Sequence, residues 1–134
     1  MEKESVKAMA PLVLAYLGDA VYEVIIRERL VVADRSRPNV LNRKASHLVC
    51  AASQSAMMEK ILPLLDENEE AIFHRGRNAN SPTHAKNQSI QDYRRATGFE
   101  ALVGYLHLCG ENERLEMLIN EGLKAVEEQD ESHK

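Results

Sequence analysis

The strongest constraint on the fold is a stretch of 25 residues, Ala8 to Val32, whose apolar side chains recur at helical spacing. Helical signals also cover most of the remaining chain. The further predicted helices run from Pro38 to about Cys50, from Ser53 to Leu65 with an interruption at Pro63, from Glu67 to Arg77, from Ser89 to Leu108 and from Glu111 to Glu128. No segment alternates apolar and polar residues long enough to require a strand. The sequence therefore predicts an all-α fold, a helical bundle.

The length and composition of the chain are those of one globular domain. The sequence has 134 residues, of which 44% are hydrophobic and 28% are charged, and these values exclude extensive disorder. We expect a single domain over residues 1–134, with its core at about 10–128 and a frayed tail at 129–134. No apolar run approaches the roughly 18 residues of a membrane span, and the N-terminal segment lacks the layout of a signal peptide. The two cysteines are too few for a disulfide framework, so a reduced, cytoplasmic chain is expected.

The net charge of −4 conceals two basic windows. Residues 27–47 and 74–95 together hold eleven Lys and Arg residues but only three acids, which gives them a net charge of +8 against −12 for the rest. This segregation favours a local basic surface for nucleic acid, although ordinary solvated faces would have the same composition. The second window contains a long loop signal, GRNANSPTHAKNQS, at residues 76–89. A cationic loop of this length is more often functional than a plain connector.

Two carboxylates interrupt apolar helical stretches. Asp19 lies in LVLAYLGDAVYEVII, and Glu100 lies in ATGFEALVGYLHL. Buried carboxylates are normally neutralised, paired with a cation or bound to a metal. Two carboxylates, completed by waters and substrate phosphates, suit Mg²⁺ and phosphodiester hydrolysis. The alternative is that each acid pairs with an arginine inside a helical bundle.

Small residues flank both acids and predict how they could meet. Close helix contact is favoured by Gly18 and Ala20 beside Asp19, and by Gly98, Ala101 and Gly104 around Glu100. Two helices crossing at these positions would bring both carboxylates to one point. Glu23 follows Asp19 by one turn and could support a metal ligand or bind a metal through water. A pair with Arg27, four residues further on, is favoured over these two roles.

The same two stretches carry a resemblance to a known family. LAYLGDAVYE resembles the signature helix of the ribonuclease III family, which typically reads like E-x-L-E-F-L-G-D-A. TGFEALVGYLHL resembles the second motif of that family, commonly D-x-x-E-A-L-I-G-A-I-Y-L. Both motifs occur in the order of the family, and the resemblance covers roughly residues 10–108. It is closest to the mini-ribonuclease III branch, which lacks the usual double-stranded RNA-binding domain.

The resemblance implies an all-helical, dimeric endoribonuclease that cuts double-stranded RNA with Mg²⁺, with Mn²⁺ able to substitute. In this branch the expected substrate is the precursor of the large-subunit (23S) ribosomal RNA, with a ribosomal protein as a further partner. By position, Asp19 matches the signature aspartate and Glu100 matches the glutamate of the second motif. Two family acids are absent, because Ala15 and Thr97 stand in their places. The resemblance therefore implies a metal site with fewer protein ligands and more waters.

The basic residues are the expected RNA contacts. Since a separate RNA-binding domain is not expected, phosphate contacts are assigned to Arg75, Arg77, Lys86, Arg94 and Arg95, with Arg43 and Lys44 as weaker candidates. A homodimer is expected because the first long helix is apolar around most of its circumference and because the family dimerises through its signature helix. The rival hypothesis is a non-catalytic RNA-binding or ribosome-associated module of the same fold.

Overall fold

The protein is described from a computed structural model, which covers residues 1–79 and 89–132. Within these residues the secondary structure is helical. The α-helices are α1 (Lys3–Lys7), α2 (Pro11–Ala33), α3 (Pro38–Val49), α4 (Ala51–Ile61), α5 (Glu67–Asn78), α6 (Ile90–Leu108) and α7 (Asn112–Ser132), and one 3₁₀ turn, Leu62–Leu64, follows α4. The prediction of an all-α fold is confirmed. No helix of the described residues has the length and apolar character needed to cross a membrane.

Helix α6 forms the centre of the bundle. Every residue from Ala96 to Leu106 is buried except Glu100, which is half-buried. Helices α2, α4, α5 and α7 pack around it. Because α6 has neighbours on most sides, its sequence is apolar almost all round rather than along one stripe. A carboxylate in this helix must therefore lie at a contact between helices.

Local signals fix where the helices begin and end. Proline occupies the first turn of α2 and of α3, where its missing N–H is not needed. Helix α5 begins with a capping box in which the side chain of Asp66 accepts from the Glu69 amide and the side chain of Glu69 accepts from the Asp66 amide. Ser89 caps α6 by accepting from the amide of Asp92. Gly110, at φ 72°, separates α6 from α7.

The observed helices differ from the predicted ones in three places. Helix α1 is not predicted from the sequence, and the long helix begins at Pro11 rather than at Ala8. The helix predicted for 53–65 begins earlier and ends at Ile61, since Pro63 lies in the 3₁₀ turn that follows. The last helix, predicted to end at Glu128, continues as α7 to Ser132, and a 3.0 Å contact between Asp130 and His47 links this end to α3.

Candidate functional site

Helices α2 and α6 cross with their backbones in contact at two glycines. A Cβ atom added to Gly18 would lie 1.7 Å from the carbonyl oxygen of Glu100 and 2.9 Å from the amide nitrogen of Gly104. A Cβ atom added to Gly104 would lie 2.1 Å from the carbonyl oxygen of Leu14. No side chain other than hydrogen fits at either position, so the crossing depends on both glycines. Asp19, the residue after Gly18, is thereby held beside the turn of α6 that carries Glu100.

The carboxylates of Asp19 and Glu100 meet at this crossing. The side chain of Asp19 lies within hydrogen-bonding reach of Glu100, and it is exposed whereas Glu100 is half-buried. Burial, first, and the neighbouring Asp19 carboxyl, second, raise the pKa of Glu100 to about 8. A hydrogen bond from Gln54 acts in the opposite direction because it stabilises the carboxylate. Without a bound cation, Glu100 is therefore largely protonated at neutral pH.

Helix α4 contributes a third polar side chain to the crossing. Gln54 is only 2% exposed, and its side chain contacts the Glu100 carboxyl. Its Nε2 atom also donates a 3.1 Å hydrogen bond to the carbonyl oxygen of Val49, the last residue of α3. Gln54 was not among the site residues predicted from the sequence. The available signal was a row of polar residues, SQS, at the start of an otherwise apolar helical segment.

The structure does not show the arginine pairing that was the alternative for the two acids. Among the described residues, neither Asp19 nor Glu100 has a Lys, Arg or His nitrogen within 4.0 Å. Glu23, by contrast, accepts hydrogen bonds of 2.9 and 3.1 Å from Arg27, which confirms the expected pair. The Asp19–Glu100 contact is therefore a pair of acids without a cationic partner in the described part of the chain.

The two positions where the sequence departs from the family motifs are occupied by buried residues. Ala15 lies one turn before Asp19, and Thr97 lies one turn before Glu100. The hydroxyl of Thr97 donates to the carbonyl oxygen of Tyr93 in its own helix, 3.0 Å away. Neither residue adds a carboxylate, and within residues 1–79 and 89–132 no cluster of three or more His, Cys, Asp or Glu side chains forms a metal site.

A second glycine contact brings α5 across α6 and forms an arginine-lined cleft. A Cβ atom on Gly76 would meet Gly98 and Ala101 at 2.9 Å. Gly98 and Ala101 therefore serve the contact with α5, and not the α2 crossing for which the sequence suggested them. Beside this contact is an open cleft of about 320 Å³, lined by Arg77, Asn78, Gln91, Arg94 and Arg95.

The predicted RNA-contacting residues do not all lie at this cleft. Arg77, Arg94 and Arg95 line the cleft. Arg75 points elsewhere, because its guanidinium donates to the backbone carbonyl oxygens of Lys7 at 2.6 Å and Met9 at 3.1 Å. Lys86 lies outside the described residues.

The arginine-lined cleft is connected to the carboxylate pair. Arg95 is five residues before Glu100 on α6, or about 7.5 Å along the helix axis. Its Nη1 atom lies 3.4 Å from the hydroxyl oxygen of Ser55, the residue next to Gln54. Arg95 of the cleft and Glu100 of the acid pair therefore contact adjacent residues of α4.

The weaker basic candidates lie far along the chain from the cleft. Lys44 pairs with Asp34, whereas Arg43 is exposed on α3. The first basic window is thus partly neutralised within the protein, because Arg27 also has an acidic partner. Of the two windows, the second contributes the cleft.

Comparison with known proteins identifies the class to which this fold and site belong. Residues 12–111 match the family model described as the Ribonuclease III domain. This range contains both signature stretches, the α2–α6 crossing and the arginine-lined cleft. The chain belongs to the ribonuclease III family.

Individual relatives narrow the assignment. The chain is 50% identical over 127 residues to a mini-ribonuclease 3 of Enterococcus faecalis, with 93% of this chain and 96% of the relative covered. It is 47% identical over 127 residues to a mini-ribonuclease 3 of Clostridium tetani, with 94% and 84% covered. A crystal structure of a protein from Fusobacterium nucleatum superposes with a TM-score of 0.78 at 32% identity and covers 83% of this chain and 90% of that one. These likenesses place the chain in the mini-ribonuclease 3 branch, and its activity is that of an endoribonuclease.

Proposed function

We propose that the chain is a Mg²⁺-dependent endoribonuclease that cleaves double-stranded RNA at the Asp19–Glu100 pair. The observation that carries this proposal is the contact between two carboxylates that have no cationic partner among the described residues. Two acids placed together in this way repel each other when both are ionised. A divalent cation would relieve that repulsion, whereas a purely structural role would favour an arginine or an apolar residue.

The donor set fits Mg²⁺. This ion is usually held by one or two carboxylates, several waters and substrate phosphate oxygens. Asp19 and Glu100 would supply the carboxylate oxygens, and the exposure of Asp19 leaves room for water and RNA. When bound, Mg²⁺ supplies charge compensation and Lewis-acid activation for hydrolysis of the phosphodiester. Mn²⁺, which prefers the same oxygen ligands, is expected to substitute.

The protein itself holds the reacting groups in position. The Gly18–Gly104 contact fixes the separation of the two helices that carry the acids. The arginines at 77, 94 and 95 would bind duplex phosphates, with Lys86 adding a contact from outside the described residues. A-form RNA is recognised mainly by its shape, its phosphates and its 2′-hydroxyls, so a cleft lined mainly by arginines is appropriate. Arg75 is the weakest of the five candidates because backbone carbonyls already occupy its guanidinium.

We also propose that the active form is a homodimer. Helix α2 exposes a stripe of large apolar side chains that the described part of the chain does not cover, among them Tyr16 at 84% exposure, Val13, Val24 and Val31. Asp19 lies on the same helix, within one turn of Tyr16. A second copy of the chain related by a two-fold axis would cover this stripe and would place two carboxylate pairs in one particle, one for each strand of a duplex.

The proposed substrate is the precursor of 23S ribosomal RNA in the cytoplasm, with a ribosomal protein as a possible partner during processing. This assignment follows from what the resemblance to the mini-ribonuclease III branch implies, and the likeness to the two relatives supports the endoribonuclease activity on which it depends. Mapping the ends produced on a structured fragment of the ribosomal RNA precursor tests it directly. The rival hypothesis, a non-catalytic RNA-binding module, predicts no new ends in either Mg²⁺ or EDTA.

The role of the two acids is tested with Asp19→Asn. The change is nearly isosteric, so we expect an unchanged helical circular dichroism spectrum and the loss of duplex RNA cleavage in Mg²⁺. Glu23→Gln is the matched control, since it removes another carboxylate from α2, one that pairs with Arg27. Cleavage by Asp19→Asn at the wild-type rate would exclude Asp19 from the reaction. Equal loss in the Glu23→Gln control would show that the effect is not specific to the pair.

A further inference from the structure

We propose that Gln54 is a positioning residue, which holds the Glu100 carboxylate in the orientation that binds the divalent cation. The inference rests on the proposed function of the Asp19–Glu100 pair. Gln54 lies on α4, and it comes from a part of the sequence that contains neither of the two motifs that define the site. Its role is therefore not implied by those motifs.

The side chains of Gln54 and Glu100 differ in how freely they can move. Gln54 is 2% exposed and donates from Nε2 to the carbonyl oxygen of Val49, 3.1 Å away. A primary amide carries two N–H donors, so the same nitrogen can serve Val49 and Glu100 together. Glu100, in contrast, is only half-buried, and it has three side-chain torsions to fix. The amide therefore acts as a fixed point against which the carboxylate is held.

The group that anchors the Gln54 amide is a backbone carbonyl oxygen and not another flexible side chain. Val49 ends α3, and Cys50 alone separates α3 from α4, in an extended conformation. The hydroxyl of Ser53 donates a 2.6 Å hydrogen bond to the carbonyl oxygen of His47, which ties the first turn of α4 to the end of α3 a second time. The start of α4 is thus joined to the end of α3 by two side-chain hydrogen bonds, both of which cross this junction.

The chemistry of an amide suits a ligand-orienting role. A neutral donor stabilises the ionised form of Glu100 but does not cancel its charge, so the carboxylate remains available to a cation. An arginine at position 54 would neutralise Glu100 and compete with the metal. Residues that hydrogen bond to metal ligands commonly raise metal affinity or activity by about 10- to 100-fold. If Gln54 served packing alone, an apolar residue of the same volume would pack equally well and would avoid the cost of burying an amide.

The residue after Gln54 connects the same turn of α4 to the arginine-lined cleft. Ser55 is 2% exposed, and its hydroxyl oxygen accepts from Nη1 of Arg95 at 3.4 Å. Adjacent residues of α4 therefore contact the carboxylate pair and the cleft. This arrangement indicates that the buried polar residues Gln54 and Ser55 serve the site, since the next two buried residues of α4, Met57 and Met58, are apolar.

The test is Gln54→Met, which preserves the length of the side chain and removes the amide. Mn²⁺ binding is measured by electron paramagnetic resonance on the full chain without RNA, and the Mg²⁺ concentration that gives half-maximal cleavage is measured on a duplex. We expect both the dissociation constant for Mn²⁺ and the half-maximal Mg²⁺ concentration to rise about 10- to 100-fold. Ser53→Ala is the matched control, because it removes a buried side-chain hydrogen bond from the same turn without touching Glu100. We expect its metal dependence to match that of the wild type.

The outcomes separate this inference from the proposed function. If the wild type binds no Mn²⁺, the metal site itself is wrong and the inference fails with it. If the wild type binds Mn²⁺ and Gln54→Met binds it equally well, the positioning role is wrong and the metal site stands. If Gln54→Met does not fold, Gln54→Asn takes its place, because the shorter amide cannot reach both Val49 and Glu100. The inference would be overturned if the folded Gln54 variant had the metal dependence of the wild type. It would also be overturned if Ser53→Ala lost as much metal affinity as the Gln54 variant.

Discussion

The sharpest prediction concerns Gly18, where a single methyl group should disrupt both the fold and the site. Gly18→Ala would place a Cβ atom 1.7 Å from the Glu100 carbonyl oxygen and 2.9 Å from the Gly104 nitrogen. Both obstacles are backbone atoms of a buried helix, so no rotamer change relieves the contact. The helices α2 and α6 must separate, and their separation draws Asp19 away from Glu100.

The size of the effect follows from that distance. A relaxed carbon–oxygen contact needs about 3.3 Å, so the helices must move apart by more than about 1 Å along most of their shared interface. Overpacking of a rigid core costs typically 1–3 kcal/mol and occasionally more. We expect a loss of about 3 kcal/mol or more in the free energy of unfolding, or a fall of roughly 10 °C in Tm for a chain of this length. A displacement of 1 Å at a reaction centre can cost about 100-fold in rate.

The assay is urea unfolding followed by circular dichroism at 222 nm, together with duplex cleavage well below the transition. Gly122→Ala is the matched control, because Gly122 lies in the middle of α7 and its added Cβ would meet only the side chain of Met57, at 3.0 Å. That contact, to the Cβ and Cε atoms of a buried side chain, is relieved by a shift of a few tenths of an ångström, and alanine favours a helix more than glycine does. We therefore expect a change within about 1 kcal/mol and wild-type cleavage. A Gly18→Ala protein with the stability and cleavage rate of Gly122→Ala would refute the close crossing of α2 and α6.

Three further predictions follow from the site and from the exposed face of α2. In metal-free buffer, Glu100→Gln should be more stable than the wild type by an amount that grows from about 1 kcal/mol at pH 5 to about 4 kcal/mol at pH 8. The reason is that an acid whose pKa is raised to about 8 in the folded state costs stability over that range, which urea unfolding at several pH values checks. Replacing Arg77 and Arg94 by alanine should lower the log–log salt slope of duplex binding by about 1.4 to 1.8, whereas Arg75→Ala should leave the slope unchanged and reduce only stability. Val24→Asp should yield a 15.1 kDa monomer in sedimentation, and a dimer of unchanged affinity would exclude the α2 stripe as its interface.

The sequence was sufficient to predict the elements that local patterns encode. The helical periodicity, the terminal prolines and the small residues beside Asp19 and Glu100 predicted the helices and the close crossing that joins the two acids. The Glu23–Arg27 pair was also predicted, because four residues of separation on one helix fixes their proximity. These features depend on spacing along a single helix, on the preference of proline for a first helical turn, or on the close helix contact that small residues permit.

Features that depend on contacts between distant segments were missed or misassigned. Gln54 reaches Glu100 across 46 residues, and the polar row SQS in which it lies does not indicate which side chain it contacts. Gly98 was assigned to the α2 crossing because it is near Glu100 in sequence, but it faces α5, on another side of α6. Arg75 resembled an exposed phosphate contact until the structure showed it bound to carbonyl oxygens at the end of α1, a helix that the sequence did not predict.

Because Ala15 and Thr97 stand where the family motifs have acids, the α2–α6 crossing carries less negative charge. Burial and one neighbouring carboxyl already raise the pKa of Glu100 to about 8. Further carboxylates at positions 15 and 97, each one turn from an existing acid, would add to that repulsion whenever no cation is bound. Ala15 and Thr97 avoid this cost, and Gln54 adds a hydrogen bond that favours the ionised carboxylate without adding charge. The chain therefore combines few acids with a neutral donor, and in the proposed site the remaining positions around the cation are left to water and to the phosphate oxygens of the RNA.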